Sequence, residues 1–308
     1  MNLLVKMKFG SHLYGTETPD SDRDFKGVFL PSKQEVYLGK IAKSVTLSKG
    51  HDQRKNTKED MDYEVYSLHY FLKLACEGQT VALDMLHAGE RHLLHTSSIW
   101  RELMVRREWF YTSNLSVFVG YARTQAAKYG IKGSRLAAAK EASEFLRAHG
   151  KTRVSDIWNL LWENEYCYFL DNGIHRIWQV CGKGVSETSN CELAAEMLAA
   201  FVERYGDRAK KAERNEGIDW KAISHALRAG YQARAIFVDG GFNFPIQEVN
   251  FLRAVKSGAL DYMKIVAPAL EGLMTELEAL KLASDLPERI DQGKIDHWLM
   301  EVLDGEYQ

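Results

Sequence analysis

The chain has 308 residues, of which 45% are hydrophobic and 27% charged, with a formal net charge of −2. That length allows two domains, each able to bury its own core, and the composition excludes a disordered or collagen-like chain. No apolar run reaches membrane-spanning length and no basic-then-apolar leader opens the sequence, so a cytoplasmic protein without a membrane partner is expected.

Residues 3–9 (Leu-Leu-Val-Lys-Met-Lys-Phe) alternate well enough to read as a strand running into a turn at Gly10, where the absence of a Cβ permits a tight bend. Ser11 then opens a short helix whose free N–H groups and hydroxyl suit a phosphate. Asp22 and Asp24 lead into a second strand ending at Leu30, and a spacing of two on a strand projects both carboxylates to one side. Residues 31–40 form a connector with a helical turn. Two further strands, 44–49 and 60–67, flank a charged loop over 50–59 that is placed to close over a ligand. Leu68, Phe71, Leu72 and Ala75 recur at helical spacing, Gly78 ends that helix, and 81–87 makes another. A sheet of about four strands with helices is therefore expected over the first 95 residues.

The remainder reads as mostly helical. Leu115, Phe118, Val119, Ala122, Ala126 and Tyr129 mark an amphipathic helix, and Ser134 is placed to cap the next, over 135–148. Residues 166–181 pattern as a hairpin about Asp171-Asn172-Gly173, with Trp158, Trp162 and Trp178 as core residues. Long helices follow at about 190–212, 219–238, 261–282 and 287–303. The four cysteines show neither metal-ligand spacing nor a disulfide framework, as expected of reduced, buried thiols. His87, His92 and His95 read as structural, while His12 in the turn lies within reach of a ligand.

Charge is unevenly distributed. Residues 101–153 hold eleven basic and four acidic residues, and 258–308 hold four basic and eleven acidic ones. A basic block of that kind attracts a polyanion such as a nucleoside triphosphate or nucleic acid.

The acids carry the chemistry. Asp62 and Glu64 also lie two apart on one strand face, and either could join Asp22 and Asp24 as a third carboxylate. Three clustered carboxylates repel and raise one another's pKa unless a cation is present, and hard oxygen ligands suit Mg²⁺ or Mn²⁺ completed by substrate phosphates. Asp62 is then also placed to accept the proton of an attacking hydroxyl. Two cationic segments could hold the phosphates: Lys128, Lys132 and Arg135 around Gly130 and Gly133, and the stripe Lys221, His225, Arg228 and Gln232 on one helix face.

Phe9-Gly10-Ser11, Ser21-Asp22-Arg23-Asp24 and a later strand carboxylate together resemble the signature of the DNA polymerase β nucleotidyltransferase superfamily. Tyr14-Gly15-Thr16, Asp62 six residues before Leu68, residues 128–133 (Lys-Tyr-Gly-Ile-Lys-Gly) and residues 220–225 (Trp-Lys-Ala-Ile-Ser-His) further resemble its predicted bacterial and phage nucleotidyltransferases, which include an RNA-repair-associated branch. Arg23 departs from that signature, standing where an apolar residue is usual. The resemblance implies Asp22 and Asp24 as metal ligands, Asp62 as third acid, and Gly10, Ser11 and Ser21 at the phosphates. The fold class it implies is α+β: a small mixed-sheet nucleotidyltransferase domain over 1–95, then a mainly helical domain over 96–308 with an inserted β-hairpin at about 166–181, completing the cleft. The expected activity is transfer of a nucleoside monophosphate from a triphosphate to an RNA or tRNA hydroxyl. The alternatives are a catalytically silent nucleotide-binding module and a protein-modifying, AMP-transferring enzyme of the toxin–antitoxin type.

Overall fold

A computed structural model of the chain describes residues 1–19, 21–47, 61–113, 133–164, 166–171, 173 and 175–307. In chain order the first elements are β1 (Asn2–Lys8), α1 (Gly10–Tyr14), β2 (Arg23–Leu30), α2 (Lys33–Tyr37), β3 (Ser44–Thr46) and β4 (Met61–Ser67). Then come α3 (Leu68–Cys76), α4 (Thr80–Leu86), β5 (Leu93–Thr96), α5 (Ser98–Val105) and α6 (Gly133–Ala148). The strands β6 (Cys167–Asp171), β7 (Arg176–Val180) and β8 (Lys183–Ser186) precede α7 (Cys191–Glu213), α8 (Trp220–Asp239), α9 (Val249–Lys256), α10 (Ala267–Ala283) and α11 (Gln292–Glu306).

These elements form two compact units, and both are discontinuous in sequence. One comprises Met1–Thr124, Trp220–Leu260 and Pro268–Gln308; the other comprises Gln125–Asp219 and Asp261–Ala267. A division at residue 95 follows the change from mixed to helical pattern along the chain. The units divide differently because α8 and α9 return to the sheet-bearing unit.

The first unit is organised on a five-stranded sheet in the order β3-β4-β2-β1-β5. The β2–β4 pair is parallel and the other pairs are antiparallel. The fourfold expectation missed β5, a four-residue edge strand too short to show a period of two. Ser67 ends β4 and starts α3 in one step, its hydroxyl accepting from Tyr70 N–H at the N-cap. From α3, Leu68, Phe71, Leu72 and Ala75 are buried as their spacing requires, and Phe71 meets Trp100 of α5 edge to face, 5.0 Å between centroids.

The second unit packs α6 and α7 against the three-stranded sheet β6-β7-β8. The hairpin is as expected, but β8 extends it. Trp178 is fully buried, and its indole N–H donates to Trp162 O at 2.9 Å. Trp158 and Trp162 pack around the same core. α6 begins at Gly133, so Ser134 stands inside the first turn rather than at the cap. The expected helix of residues 115–129 and the loop over 50–59 lie outside the described residues. Cys167, Cys181 and Cys191 are buried, Cys76 is half-buried, and all four are free thiols. Among the described residues no helix is long and apolar enough to cross a membrane.

Trp178→Ala removes the largest side chain from the second unit's core and orphans the Trp162 carbonyl. It is expected to destabilise that unit by about 3–5 kcal/mol, read by chemical denaturation followed by tryptophan fluorescence.

Candidate active site

The site is built where β1 turns into α1 beside the start of β2. Phe9 N–H donates to Asp24 O at 2.8 Å, which extends the β1–β2 pairing up to the turn. Gly10 then takes φ +59°, and a Cβ built there would lie 2.0 Å from Asp24 Oδ2. Only glycine satisfies both the left-handed backbone and the close approach of the carboxylate. The N-cap residue of α1, Phe9, supplies no side-chain hydrogen bond to the first turn. Ser11 Oγ is buried without a hydrogen-bond partner among the described residues. A buried hydroxyl in that state is unfavourable unless a ligand completes it.

The carboxylates come from the neighbouring parallel strands. In the β2–β4 register Asp24 is opposite Asp62, and Lys26 is opposite Glu64, so each pair shares one face. Asp22 stands just before β2. Burial pushes the Asp24 pKa up, and the Asp22 and Asp62 carboxylates push it further; Lys26 and Lys221 oppose them. Glu64 lines the same cleft but is engaged by its own neighbours. Lys26 Nζ lies 2.6 Å from Glu64 Oε2, and the Tyr66 hydroxyl donates to the same oxygen at 2.7 Å. Burial alone would raise the Glu64 pKa, but the hydrogen bonds from Lys26 and Tyr66 outweigh it and hold the group lowered. The geometry therefore favours Asp62 over Glu64 as the partner of Asp22 and Asp24.

These groups line a cleft of about 680 Å³ within the first unit. Gly10, Ser11, Ser21, Asp22, Asp24 and Asp62 contribute to its walls, and so do Lys221 and His225 from the first turns of α8. Lys128 and Lys132 lie outside the described residues. Arg135 is in the first turn of α6, and nothing is described of its side chain. His12 does not line the cleft.

Arg228 is the expected site residue that the fold uses otherwise. The stripe of α8 divides: Lys221 and His225 reach the cleft, while Arg228 and Gln232 are buried at 7% and 0% exposure. Arg228 Nη1 lies 2.7 Å from Asp84 Oδ2, Gln232 Nε2 donates to Asp84 Oδ1 at 2.7 Å, and Tyr14 OH donates to Asp84 Oδ2 at 2.9 Å. The guanidinium also stacks on the Tyr14 ring, 3.7 Å from its centroid. A five-residue helix such as α1 cannot hold itself in water. Through Tyr14 this buried cluster fixes α1 to α4 and α8. Periodicity could not separate a solvated stripe from one that penetrates to a buried acid, because Asp84 is 144 residues away from Arg228.

The sequence reading missed α9 and with it Lys256, which also lines the cleft. Its signal was Val249, Leu252 and Val255 at intervals of three, with Arg253 and Lys256 in the last turn. The histidines expected to be structural are so at His87: Phe242 stacks on its ring at 3.8 Å between centroids, Nε2 lies 2.7 Å from the Tyr111 hydroxyl and Nδ1 2.7 Å from Leu83 O, and burial pushes its pKa down to about 4.

Comparison with known proteins gives a family. The family described as "RlaP: RNA repair pathway DNA polymerase beta family" matches residues 1–149. A protein of Enterobacteria phage T4, "Uncharacterized 38.9 kDa protein in nrdC-mobD intergenic region", is 36% identical over 327 aligned positions, covering 98% of this chain and 97% of its own length. No solved structure matches the chain.

Two outcomes follow from the electrostatics. Asp24 titrates above its ordinary value in the fold, so its stabilising contribution is present below the usual carboxylate pKa and is lost as pH rises through the raised value. Asp24→Asn is therefore expected to melt higher than the parent chain at pH 7 without divalent ions, and the difference should vanish in acid. Each ~1 kcal/mol relieved corresponds to about 2–4 °C by differential scanning calorimetry. Asp84→Asn leaves the Arg228 charge buried without its counter-ion and is expected to cost about 3 kcal/mol, measured by urea denaturation.

Proposed function

The chain belongs to the RNA repair pathway DNA polymerase beta family, and on that premise we propose that it is a divalent-metal-dependent nucleotidyltransferase that moves a nucleoside monophosphate from a nucleoside triphosphate to a hydroxyl of RNA or tRNA. The observation that carries the reading is the meeting of Asp22, Asp24 and Asp62 in one cleft with the turn at Gly10 and Ser11.

The donor set suits Mg²⁺ or Mn²⁺. Burial, and after it repulsion from Asp22 and Asp62, raises the Asp24 pKa, a state that a bound cation would relieve. Among the described residues no three His, Cys, Asp or Glu side chains already stand in a metal-holding arrangement. That accords with an ion which takes one or two carboxylates and completes its shell with water and substrate phosphates. Asp22 and Asp24 are the ligands of this reading, with Asp62 beside them. A bound ion would supply charge stabilisation at the phosphate oxygens.

The residues of the chain do the rest. The N–H groups and the hydroxyl of the Gly10–Ser11 turn hold the triphosphate, with Ser21 beside them, and Lys221 and His225 offset its charge. The acceptor hydroxyl oxygen forms a bond to the α-phosphorus, and its proton passes to the Asp62 carboxylate. The bridging bond between the α-phosphorus and the pyrophosphate oxygen breaks, and pyrophosphate leaves with the electron pair. The family's description and the basic block over residues 101–153 support an RNA acceptor. A cytoplasmic setting accords with four free thiols and a triphosphate substrate.

The test is incubation with each labelled triphosphate, Mg²⁺ or Mn²⁺ and total RNA, comparing the parent chain with Asp22→Asn/Asp24→Asn. Label is expected in RNA and at background in the double variant. Equal incorporation by the two chains would overturn the catalytic assignment. Label on protein would move the acceptor to a side chain, and triphosphate binding without turnover would leave a silent binding module.

A further inference from the structure

We propose that the face of the five-stranded sheet turned away from the acids is a platform for single-stranded RNA. Phe25 is the ring on which an unpaired base stacks, and Lys6, Lys8 and Arg23 hold the phosphate backbone beside it. The inference rests on the nucleotidyltransferase reading and deepens it, because it names the surface that presents the acceptor.

Strand register defines the face. Phe25 is opposite Lys8 on β1 and Tyr63 on β4, while Gly27 is opposite Lys6 and Val65. Residues directly opposite share a face and successive residues alternate, so these positions and Arg23 stand on the side away from Asp24 and Asp62. Phe29, Tyr63 and Val65 form a small buried cluster there, with Leu3, Phe25 and Val45 packed against it. All six are strand residues, and among the described residues no helix contributes to the cluster.

The rings are fixed in place. A Cβ on Gly27 would stand 3.0 Å from the Tyr63 hydroxyl, so its absence lets the phenol lie across β2. Tyr63 is buried by this and meets Phe25 edge to face, 6.4 Å between centroids. Phe25 itself remains half-exposed. Lys6 Nζ lies 4.6 Å from the Tyr63 centroid and 5.3 Å from that of Phe25, which sets a cation beside the open ring.

The charge on this face has one sign. Lys8 and Arg23 are exposed, and no strand position of the face carries an acid among the described residues. Arg23 is also the residue that departs from the superfamily signature, and the departure puts a cation next to Phe25 in sequence and on the same face. A half-exposed ring flanked by cations suits a polyanion whose bases are free to stack. A duplex, with its bases paired inside, offers the ring nothing. Phe25 follows Asp24 directly, and Phe25 and Tyr63 also line the cleft that holds the acids. A strand lying on the platform therefore brings its terminal hydroxyl to the side of Asp62.

The test is fluorescence anisotropy of a labelled single-stranded RNA of mixed sequence, titrated with the full chain without triphosphate or divalent ion over a range of salt. Phe25→Leu is expected to weaken binding about tenfold, while Phe25→Trp, which keeps a ring, stays within about twofold of the parent chain. Lys6→Gln/Lys8→Gln/Arg23→Gln is expected to lower the slope of log affinity against log salt by about 2, a change that a loss of packing alone would not produce. The same RNA annealed into a duplex should bind more weakly than the single strand. Equal affinities and equal salt slopes for the parent chain and the variants would overturn the platform, as would a preference for duplex. RNA binding that depends on Phe25, found together with background label in the transfer assay, would leave the platform standing and end the nucleotidyltransferase reading instead.

Discussion

The arrangement of this protein depends on the contact between Asp24 and Gly10. A strand end and a turn are brought so close that no side chain fits between them, and a carboxylate is left half-buried beside two others. That is a locally unfavourable arrangement, because desolvation and like-charge repulsion act in the same direction. Folds tolerate such clusters where a ligand later supplies the missing charge, and the surrounding structure must be firm enough to keep the acids from separating.

Much of the firmness comes from segments far away in sequence. α1 is too short to persist alone, and four side chains hold its C-terminal end and the two residues after it. Asp84 and Arg228 engage Tyr14, while Arg253 Nε donates to Gly15 O at 2.6 Å and Lys256 donates to Thr16 O. These bonds attach the turn to α4, α8 and α9, and the last two of these helices also line the cleft. The shape of the cleft and the integrity of this unit are therefore coupled, and damage at Asp84 would reach the cleft from outside it.

The local features of this design were legible in the sequence. Alternation over residues 3–9 pointed to β1, the strands expected near 25–30, 44–49 and 60–67 correspond to β2, β3 and β4, and the Gly-Ser turn followed from one residue lacking a Cβ. What escaped were features with long-range causes. β5 exists because an edge of the sheet was open, and four residues carry no period of their own. Arg228 shares the helical phase of Lys221 and His225, yet a buried acid from α4 captures it before it can reach the cleft. Lys256 lies on an eight-residue helix whose proximity to the acids depends on Gly258 meeting Trp220. That Glu64 is already engaged by Lys26 was likewise hidden, because it depends on the strand register that sets the two opposite each other.

The central claim is that Asp22 and Asp24, with Asp62 beside them, hold a divalent ion together with the triphosphate. Titration of Mn²⁺ into the chain together with a non-hydrolysable triphosphate, followed by electron paramagnetic resonance of free Mn²⁺ at a series of pH values, addresses it most directly. Stoichiometric uptake that weakens as pH falls through the raised Asp24 pKa, and that is abolished by Asp22→Asn/Asp24→Asn, is the predicted result. Uptake unchanged in that double variant would contradict the account.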